Sequence, residues 1–553
     1  MENMIPMLAG GLRKRPGTWF GVKTRNNAEA RLIYWPPPDG SCRILEITAG
    51  RIRVLRARPD EENNMIFSTT GGANIPHTAQ QVQELHYAIN KKEMWLVHPE
   101  QPPVQLRSDP GFDVFYPSTA PGSDPTLYGI DFTLAGNRPK TVAFYAGRLC
   151  FAGTDNNPNR IYMSKAMNSQ TGQGRHTDFT AGSNPADAII LEENDMYGSR
   201  IQWLAASRRL VAATGITTWS DNGEVPTPAT FDMNIVEHTG SSHIQPRGTK
   251  EIMVYVGRYG KSLRALVWNE NGYGGGYIDM DTSERAAHLF SAGIKDFAVM
   301  DNPFPMIWIV TKAGELISCT INIRGGVLAY ARHPMDGIVE AVTIARQGTD
   351  DVVFLVVKRG DDRNIEYMIL EDLVNSDFTD SHYVDAGELR TYNTPEKTIT
   401  GLGRFAGKTI RAFADGAILP PIHVDEQGIA ELQTAVSKIH LGLPYKAAFS
   451  PNERQIPANG TSLGKKRRIE KITLRLYKSI GGRAGTTEEK ATELIMQRFG
   501  SYELGSAPEP FTGEIDVTVS GNIDTEGKLV ITHEEPVPFT MLALVERVAI
   551  LEA

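Results

Sequence analysis

The feature that most constrains this chain is an apolar alternation of period two that returns in clusters along most of its length. ILEITAGRIRVLRA (Ile44 to Ala57) alternates on both sides of an Ala-Gly turn, as a hairpin does when one face is buried and the other wet. EMWLVHP, AGRLCFAGT, SRRLVAATG, IMVYVGR, LRALVWN, MIWIVTK, GELISCTI, VVFLVVKRG and IEYMILE are short, rich in Val, Ile and aromatics, and closed by Gly, Asn, Asp or Pro. Similar clusters begin near Leu32, Val82, Thr141, Arg200, Glu251, Ile294 and Val339. Each holds a strand, a short turn, a second strand and a polar loop, at a spacing of roughly 45 to 60 residues that suits propeller blades. The expectation is an all-β fold, a degenerate β-propeller of about seven blade-like units. A β-sandwich or two packed sheets would share so loose a repeat.

Helical signals are few. SERAAHLF (Ser283 to Phe290) reads as one short helix, and TTEEKATELIMQRFG fits a helix capped by Thr486 and Glu489 or a strand equally well. After about Leu373 Gly-containing turns cluster, as in GLGRFAGKTIRAFADGAILPP and HLGLPYKAAFSP. From Thr461 the chain turns locally basic and then alternates again in EIDVTVSG, GKLVITHEE and TMLALVERVAIL. The expected organisation is an N-terminal arm (1–30), a propeller-like domain (31–375), a small β domain (376–460) and a C-terminal β barrel or sandwich region (461–553) that contributes to a ring or platform.

Composition narrows the function classes. Basic residues number 57 and acidic 65, a net charge of −8, which argues against a surface built throughout to grip nucleic acid. Cys42, Cys150 and Cys319 lie far apart and form no CxxC pair, so neither a disulfide framework nor a thiolate zinc site is expected. The apolar run Val352 to Val357 is a third of the roughly 18 residues that span a bilayer. In MENMIPMLAGGLRKR the basic residues follow the apolar stretch, the wrong order for a signal peptide. A soluble chain made in the cytoplasm, with no membrane span, is expected.

Chemical motifs dissolve on inspection. GRYGKS (Gly257 to Ser262) ends like a phosphate loop, but Tyr255 stands where the first glycine belongs and a strand follows in place of a helix. GYGGGY (Gly272 to Tyr277) follows no strand-to-helix crossover and reads as a tight loop, which in a channel protein could constrict the lumen. His238 and His243 in EHTGSSH are separated by loop residues rather than a helical turn. TTWSDNGE (Thr217 to Glu224) has the wrong order for an aspartate box, and Asp221-Asn222-Gly223 reads as a hairpin turn. Asn459-Gly460-Thr461 is a sequon by pattern only. No catalytic residue, cofactor site or metal site is expected. The remaining candidates are basic patches: Arg13, Lys14 and Arg15 in GLRKRPGTWF, and Lys465, Lys466, Arg467 and Arg468.

Five segments in register resemble the tail nozzle proteins (tail tubular protein B-like) of short-tailed bacteriophages: GGLRKRPGT (Gly10 to Thr18), ELHYAINKKEMWLVHPEQPPVQL (Glu84 to Leu106), VAFYAGRLCFAGTDNNPNRIYMSK (Val142 to Lys165), IQWLAASRRLVAATGITTWSDNG (Ile201 to Gly223), and the pair GLGRFAGKTIRAFADGAILPP and HLGLPY. Thr218 stands where an acidic residue is common in that family. The resemblance implies a non-enzymatic structural virion protein of the phage tail. It would be synthesised in the host cytoplasm and would form a homo-oligomeric, hexameric ring that serves as a conduit for DNA ejection. Its implied partners are a tail adaptor ring protein, a tail fibre or spike, and viral DNA passing transiently through the lumen. A lumen lined by cations would hold DNA through its phosphates. The basic candidates are therefore expected to face neighbouring subunits or the adaptor. The alternative is a propeller-type glycan-binding or glycan-degrading phage protein.

Overall fold

The computed structural model describes residues 1–37, 41–59, 65–108, 115–117, 127–166, 176–192, 198–249, 252–270, 275–370, 378–452, 464–496, 509–519, 523, 525 and 527–551. Between Arg31 and His333 six four-stranded antiparallel sheets follow one another. Their first strands are Arg31–Tyr34, His86–Asn90, Thr141–Tyr145, Ile201–Ala206, Arg247–Gly248 and Ile294–Met300. A seventh sheet runs through Ile338–Gln347, Asp350–Arg359 and Asp362–Ile369. Its fourth strand is Trp19–Lys23, which returns from the other end of the sequence to pair antiparallel with Asp362–Ile369. The chain is a seven-bladed β-propeller with further β-structure after the last blade.

Period two explains how the blades stack. In VVFLVV, Val353, Leu355 and Val357 pack toward blade six, while Val352, Phe354 and Val356 pack toward blade one. A strand buried on both faces reads as a continuous apolar run, and its two parities fill two different seams. Each seam has its own core. Trp35 and Leu96 lie between blades one and two, Trp95 and Phe151 between two and three, and Leu204 and Met163 between three and four. Trp203 and Tyr255 follow between four and five, and Val256 and Ile307 between five and six. Trp308 and Leu355 join six to seven, and Phe354 and Leu32 join seven to one, closing the circle.

The expected cluster starts Thr141 and Ile294 coincide with first strands, and Leu32, Arg200 and Val339 fall within a residue of them. Val82 lies instead in the helix Ala79–Glu84, held by a reciprocal cap between Thr78 and Gln81 that the sequence reading overlooked. Glu251 is outside the described residues, as are Gly272 to Gly274 of the glycine-rich loop and the sequon Asn459 to Thr461. SERAAHLF forms the 3-10 helix Glu284–Phe290. Of TTEEKATELIMQRFG, residues 486–496 are described, and Thr492–Glu493 is a strand.

Beyond residue 378 the β-structure falls into two parts. Asp385–Ile399, Ala430–Leu443 and Thr409–Ala414 pair around a core that includes Phe405, Ile410 and Leu441. This unit continues the sheet of blade seven through Trp19 opposite Gly387. The second part stacks two sheets over Ile472, Leu474, Ile531 and Phe539. One of these is ordered Met4–Pro6, Leu12–Lys14, Thr540–Leu551, Lys466–Ser479, Phe511–Thr518. Residues 1–30, read from sequence as an arm, thus supply two strands to this sheet and one to blade seven. Among the described residues no helix is long and apolar enough to cross a membrane.

Candidate functional site

The basic triplet near the N-terminus lies inside the molecule. Arg13, Lys14 and Arg15 are 5%, 1% and 0% exposed, which corrects their expected placement on a subunit surface. Both terminal nitrogens of Arg15 donate to the Asp385 carboxylate, at 2.8 and 2.7 Å, and its Nε donates to Asn3 Oδ1 at 2.7 Å. The Arg15 guanidinium stacks over Tyr445 at 4.0 Å, and Arg13 sits over Phe304 at 4.7 Å. Lys14 Nζ donates to the Glu535 carbonyl at 2.7 Å and lies 3.2 Å from His533 Nδ1. Thr18 Oγ1 donates to Glu366, which also holds Arg359. Gly17 is required because a Cβ there would come within 2.0 Å of the Val384 carbonyl oxygen. The segment is therefore a strap that joins blade seven to the C-terminal units, and its cations are consumed by internal partners. Lys465 is half-buried, Arg467 is buried, and Lys466 and Arg468 are exposed, in the alternation a strand imposes.

The centre of the propeller is also filled. His86 and Tyr87 of blade two meet His243, Gln245 and Arg247 at the entry to blade five. These blades are not neighbours, so the contacts cross the axis. Gln245 Nε2 donates to the Tyr87 carbonyl at 2.6 Å, and the Tyr87 amide donates back to Gln245 Oε1 at 3.2 Å. The His86 and His243 rings stack at 4.2 Å. Burial holds both imidazoles below their ordinary pKa, His243 at about 3. His243 is thus a packing group, and the structure does not bring it together with the exposed His238. Among the described residues no three His, Cys, Asp or Glu side chains are grouped to hold a metal ion. Cys42, Cys150 and Cys319 are buried, and burial pushes each thiol up to about 12.

GRYGKS forms the turn between Ile252–Val256 and Leu263–Asn269. At the opposite end of that hairpin, which the sequence reading left without a function, a groove of about 820 Å³ opens between blades five and six. Its floor is apolar, with Ile252, Val267, Val299 and Ile321. Its rim carries Arg208, Glu270, Asp301 and Arg324. Trp268 stands at one wall, edge-on to Tyr277 at 5.2 Å, with the guanidinium carbons of Arg208 and Arg209 each 5.2 Å from its ring. Gly275, at φ +69°, admits the indole: a Cβ there would lie 2.6 Å from Trp268 Cζ2. The Arg208–Glu270 pair, at 3.3 Å, is solvent-exposed on both sides and holds its partners only weakly. On the opposite rim the Asp301 carboxyl is raised by burial and by the neighbouring Asp351. The volume falls in the range of ligand clefts, and an apolar floor with a charged rim matches the anatomy of protein interfaces. Sequence reading missed this site because LRALVWN registers only as a strand, and Arg208 joins it from a different blade.

No family model matches the chain, and no curated protein does. It is similar in fold to solved structures described as "Structure of U3-55K", "Structure of the Neurospora crassa Pan2 WD40 domain" and "Crystal structure of RRP9 WD40 repeats". Identities are 11%, 11% and 12%, and TM-scores 0.38, 0.37 and 0.37. The alignments cover 64%, 63% and 65% of this chain and 100%, 91% and 100% of the others. These neighbours are WD40 propellers and not phage tail proteins, so the nozzle resemblance is corrected. The virion location, the DNA-ejection conduit and the glycan-active alternative are withdrawn with it. The segments behind the resemblance have structural reasons to look as they do: VAFYAGRLCFAGT is a blade hairpin packed on both faces, and GGLRKRPGT is the buried strap. The chain is a seven-bladed propeller strapped at its N-terminus to its own C-terminal β-units.

Proposed function

We propose that this chain is a non-catalytic interaction scaffold whose groove between blades five and six receives an extended peptide segment of a partner protein. The carrying observation is the groove itself, with apolar Ile252, Val267, Val299 and Ile321 in its lining, Arg208 and Arg324 at its rim and Trp268 at its wall. Its chemistry suits a segment with an apolar anchor for the floor and a carboxylate within reach of the rim arginines. The buried ionisable groups elsewhere support this reading, since Arg15, Lys14, Arg359 and the paired histidines are engaged in internal bonds.

The test is selection of a displayed random-peptide library on the full chain, followed by titration of the enriched peptides. Peptides pairing an apolar residue with Asp or Glu should emerge. Arg208→Glu together with Arg324→Glu should weaken them about tenfold, or about 1.4 kcal/mol. Enrichment of nothing, or affinities unmoved by the double reversal, would overturn the proposal.

A further inference from the structure

The turn formed by GRYGKS, at the end of blades five and six opposite the groove, holds an aromatic ring out into solvent. The turn itself is clamped. The Gly257 amide donates to the Ser262 carbonyl at 2.9 Å, the Gly260 amide to the Gly257 carbonyl at 2.9 Å, and the Ile294 amide of blade six to the Gly260 carbonyl at 2.7 Å. Gly260 supplies the left-handed backbone, φ +73°, at which the chain reverses. Tyr259 is carried on this fixed turn with 82% of its surface exposed. Aromatic rings stabilise a fold when they are buried, so a ring presented in this way contributes little to the propeller's own core.

Cations stand around the ring. The Arg258 guanidinium carbon lies 5.6 Å from its centroid, and Lys261 is exposed on the same turn. Lys312 of blade six is close by, since a Cβ on Gly293 would meet its Cδ at 3.4 Å and the Gly260 carbonyl oxygen at 3.5 Å. Arg285 is exposed on the 3-10 helix Glu284–Phe290, which begins beside the turn where the Leu263 amide donates to Ser283 Oγ at 2.9 Å. Among the described residues none of these four cations is in an ion pair. Glu284 and Glu315 are exposed at the border of the patch, and Glu237 lies toward blade four, accepting from the His238 amide. Asp281 is held by Arg264 and Ser283.

We propose that this patch binds single-stranded nucleic acid, with a base stacked on Tyr259 and backbone phosphates at Arg258, Lys261 and Lys312. An exposed ring set among cations matches both halves of a nucleotide, the π-face of the base and the charge of its phosphate. An acidic peptide would satisfy the cations and leave the ring idle. A bilayer surface would require several apolar side chains, and Tyr259 is the one large apolar side chain exposed on the turn and on the 3-10 helix beside it. The net charge of −8 argues against a general grip on nucleic acid and leaves room for one local contact. With about three phosphate contacts the salt dependence is shallow, log K falling with log salt at a slope of about −2. This surface is separate from the peptide groove, and the two proposals stand or fall independently.

The test is fluorescence anisotropy of a labelled oligothymidylate of about 15 nucleotides, titrated with the full chain between about 50 and 200 mM salt. Binding should appear at the low end. Tyr259→Ala should weaken it about tenfold without changing the salt slope, and Tyr259→Trp, which keeps a stacking face, should retain it. Lys261→Gln combined with Lys312→Gln should weaken binding and flatten the slope to about −0.7. A duplex of the same length, whose bases are already stacked, should bind more weakly. Circular dichroism should show every variant folded, because each substituted side chain is exposed. No binding at low salt, a Tyr259→Ala variant that binds like the wild type, or a duplex held as tightly as the single strand would each overturn the proposal. Displacement of the strand by polyglutamate at equal residue concentration would overturn it in favour of an acidic protein segment.

Discussion

Replacing Lys14 by methionine should remove a specific pH dependence of stability. The Lys14 amine is fully buried within the strap, donating to the Glu535 carbonyl with His533 Nδ1 at 3.2 Å and the Tyr445 ring at 4.5 Å. Burial is the dominant influence on it, and with the opposing pull of Glu535 included its pKa falls from 10.5 to about 7. The unfolded chain holds that proton up to the ordinary value, so between pH 7 and 10.5 the unfolded state binds more protons than the folded state. Stability therefore rises with pH across this window, by about 1.4 kcal/mol per pH unit for one group. Other groups titrate in the same range, among them the N-terminal amine, lowered by burial. The informative quantity is thus the difference between wild type and Lys14→Met, in which they cancel. Urea unfolding of both proteins from pH 7.5 to 9 should show that difference moving in favour of the wild type by about 2 kcal/mol. Parallel curves would refute the reasoning, because they would mean that Lys14 keeps an ordinary pKa in the folded protein.

Two further outcomes follow from buried charge. Asp385→Asn leaves the Arg15 guanidinium buried without its counter-charge and should cost about 3–5 kcal/mol in urea unfolding, with part recovered in the Asp385→Asn, Arg15→Met double variant. Burial holds His77, His86, His243, His333, His382, His440 and His533 neutral below the ordinary 6.5. The unfolded chain takes up those protons first, so stability should fall as pH drops from 6.5 toward 4, and acid titration monitored by near-ultraviolet circular dichroism should show a steep transition that releases several neutral imidazoles at once.

The blades were legible because their cause is local. A strand buried on both faces must be apolar at every position and bounded by turn residues, so VVFLVV and MIWIVT announce themselves without knowledge of their neighbours. Trp19–Lys23 gave no such signal: WFGVK is short and glycine-broken, and it becomes a strand only because the open edge of Asp362–Ile369 awaits it. The Arg13–Lys14–Arg15 triplet was misread for a related reason. Three cations in a row ordinarily mean a wet surface, and the groups that permit their burial, Asp385, Tyr445 and the Glu535 carbonyl, are hundreds of residues away. The groove was hidden for the same reason, since Trp268 and Arg208 are adjacent only once two blades have stacked.

The strap has a consequence for how the molecule is made. Its strands leave the ribosome before any of the blades, yet Trp19–Lys23 must wait for Asp362–Ile369, and Leu12–Lys14 for Thr540 and Met541. Six blades can stack as they are synthesised, each on the one before, while the earliest segment stays unpaired. Ring closure and the docking of the C-terminal units then come after the six blades, and they proceed at the pace of loop closures spanning hundreds of residues. A stalled or shortened chain would carry a gap between blades one and seven lined by Phe354, Leu32 and Ile44, a sticky surface that a quality-control protease or chaperone could recognise as unfinished work.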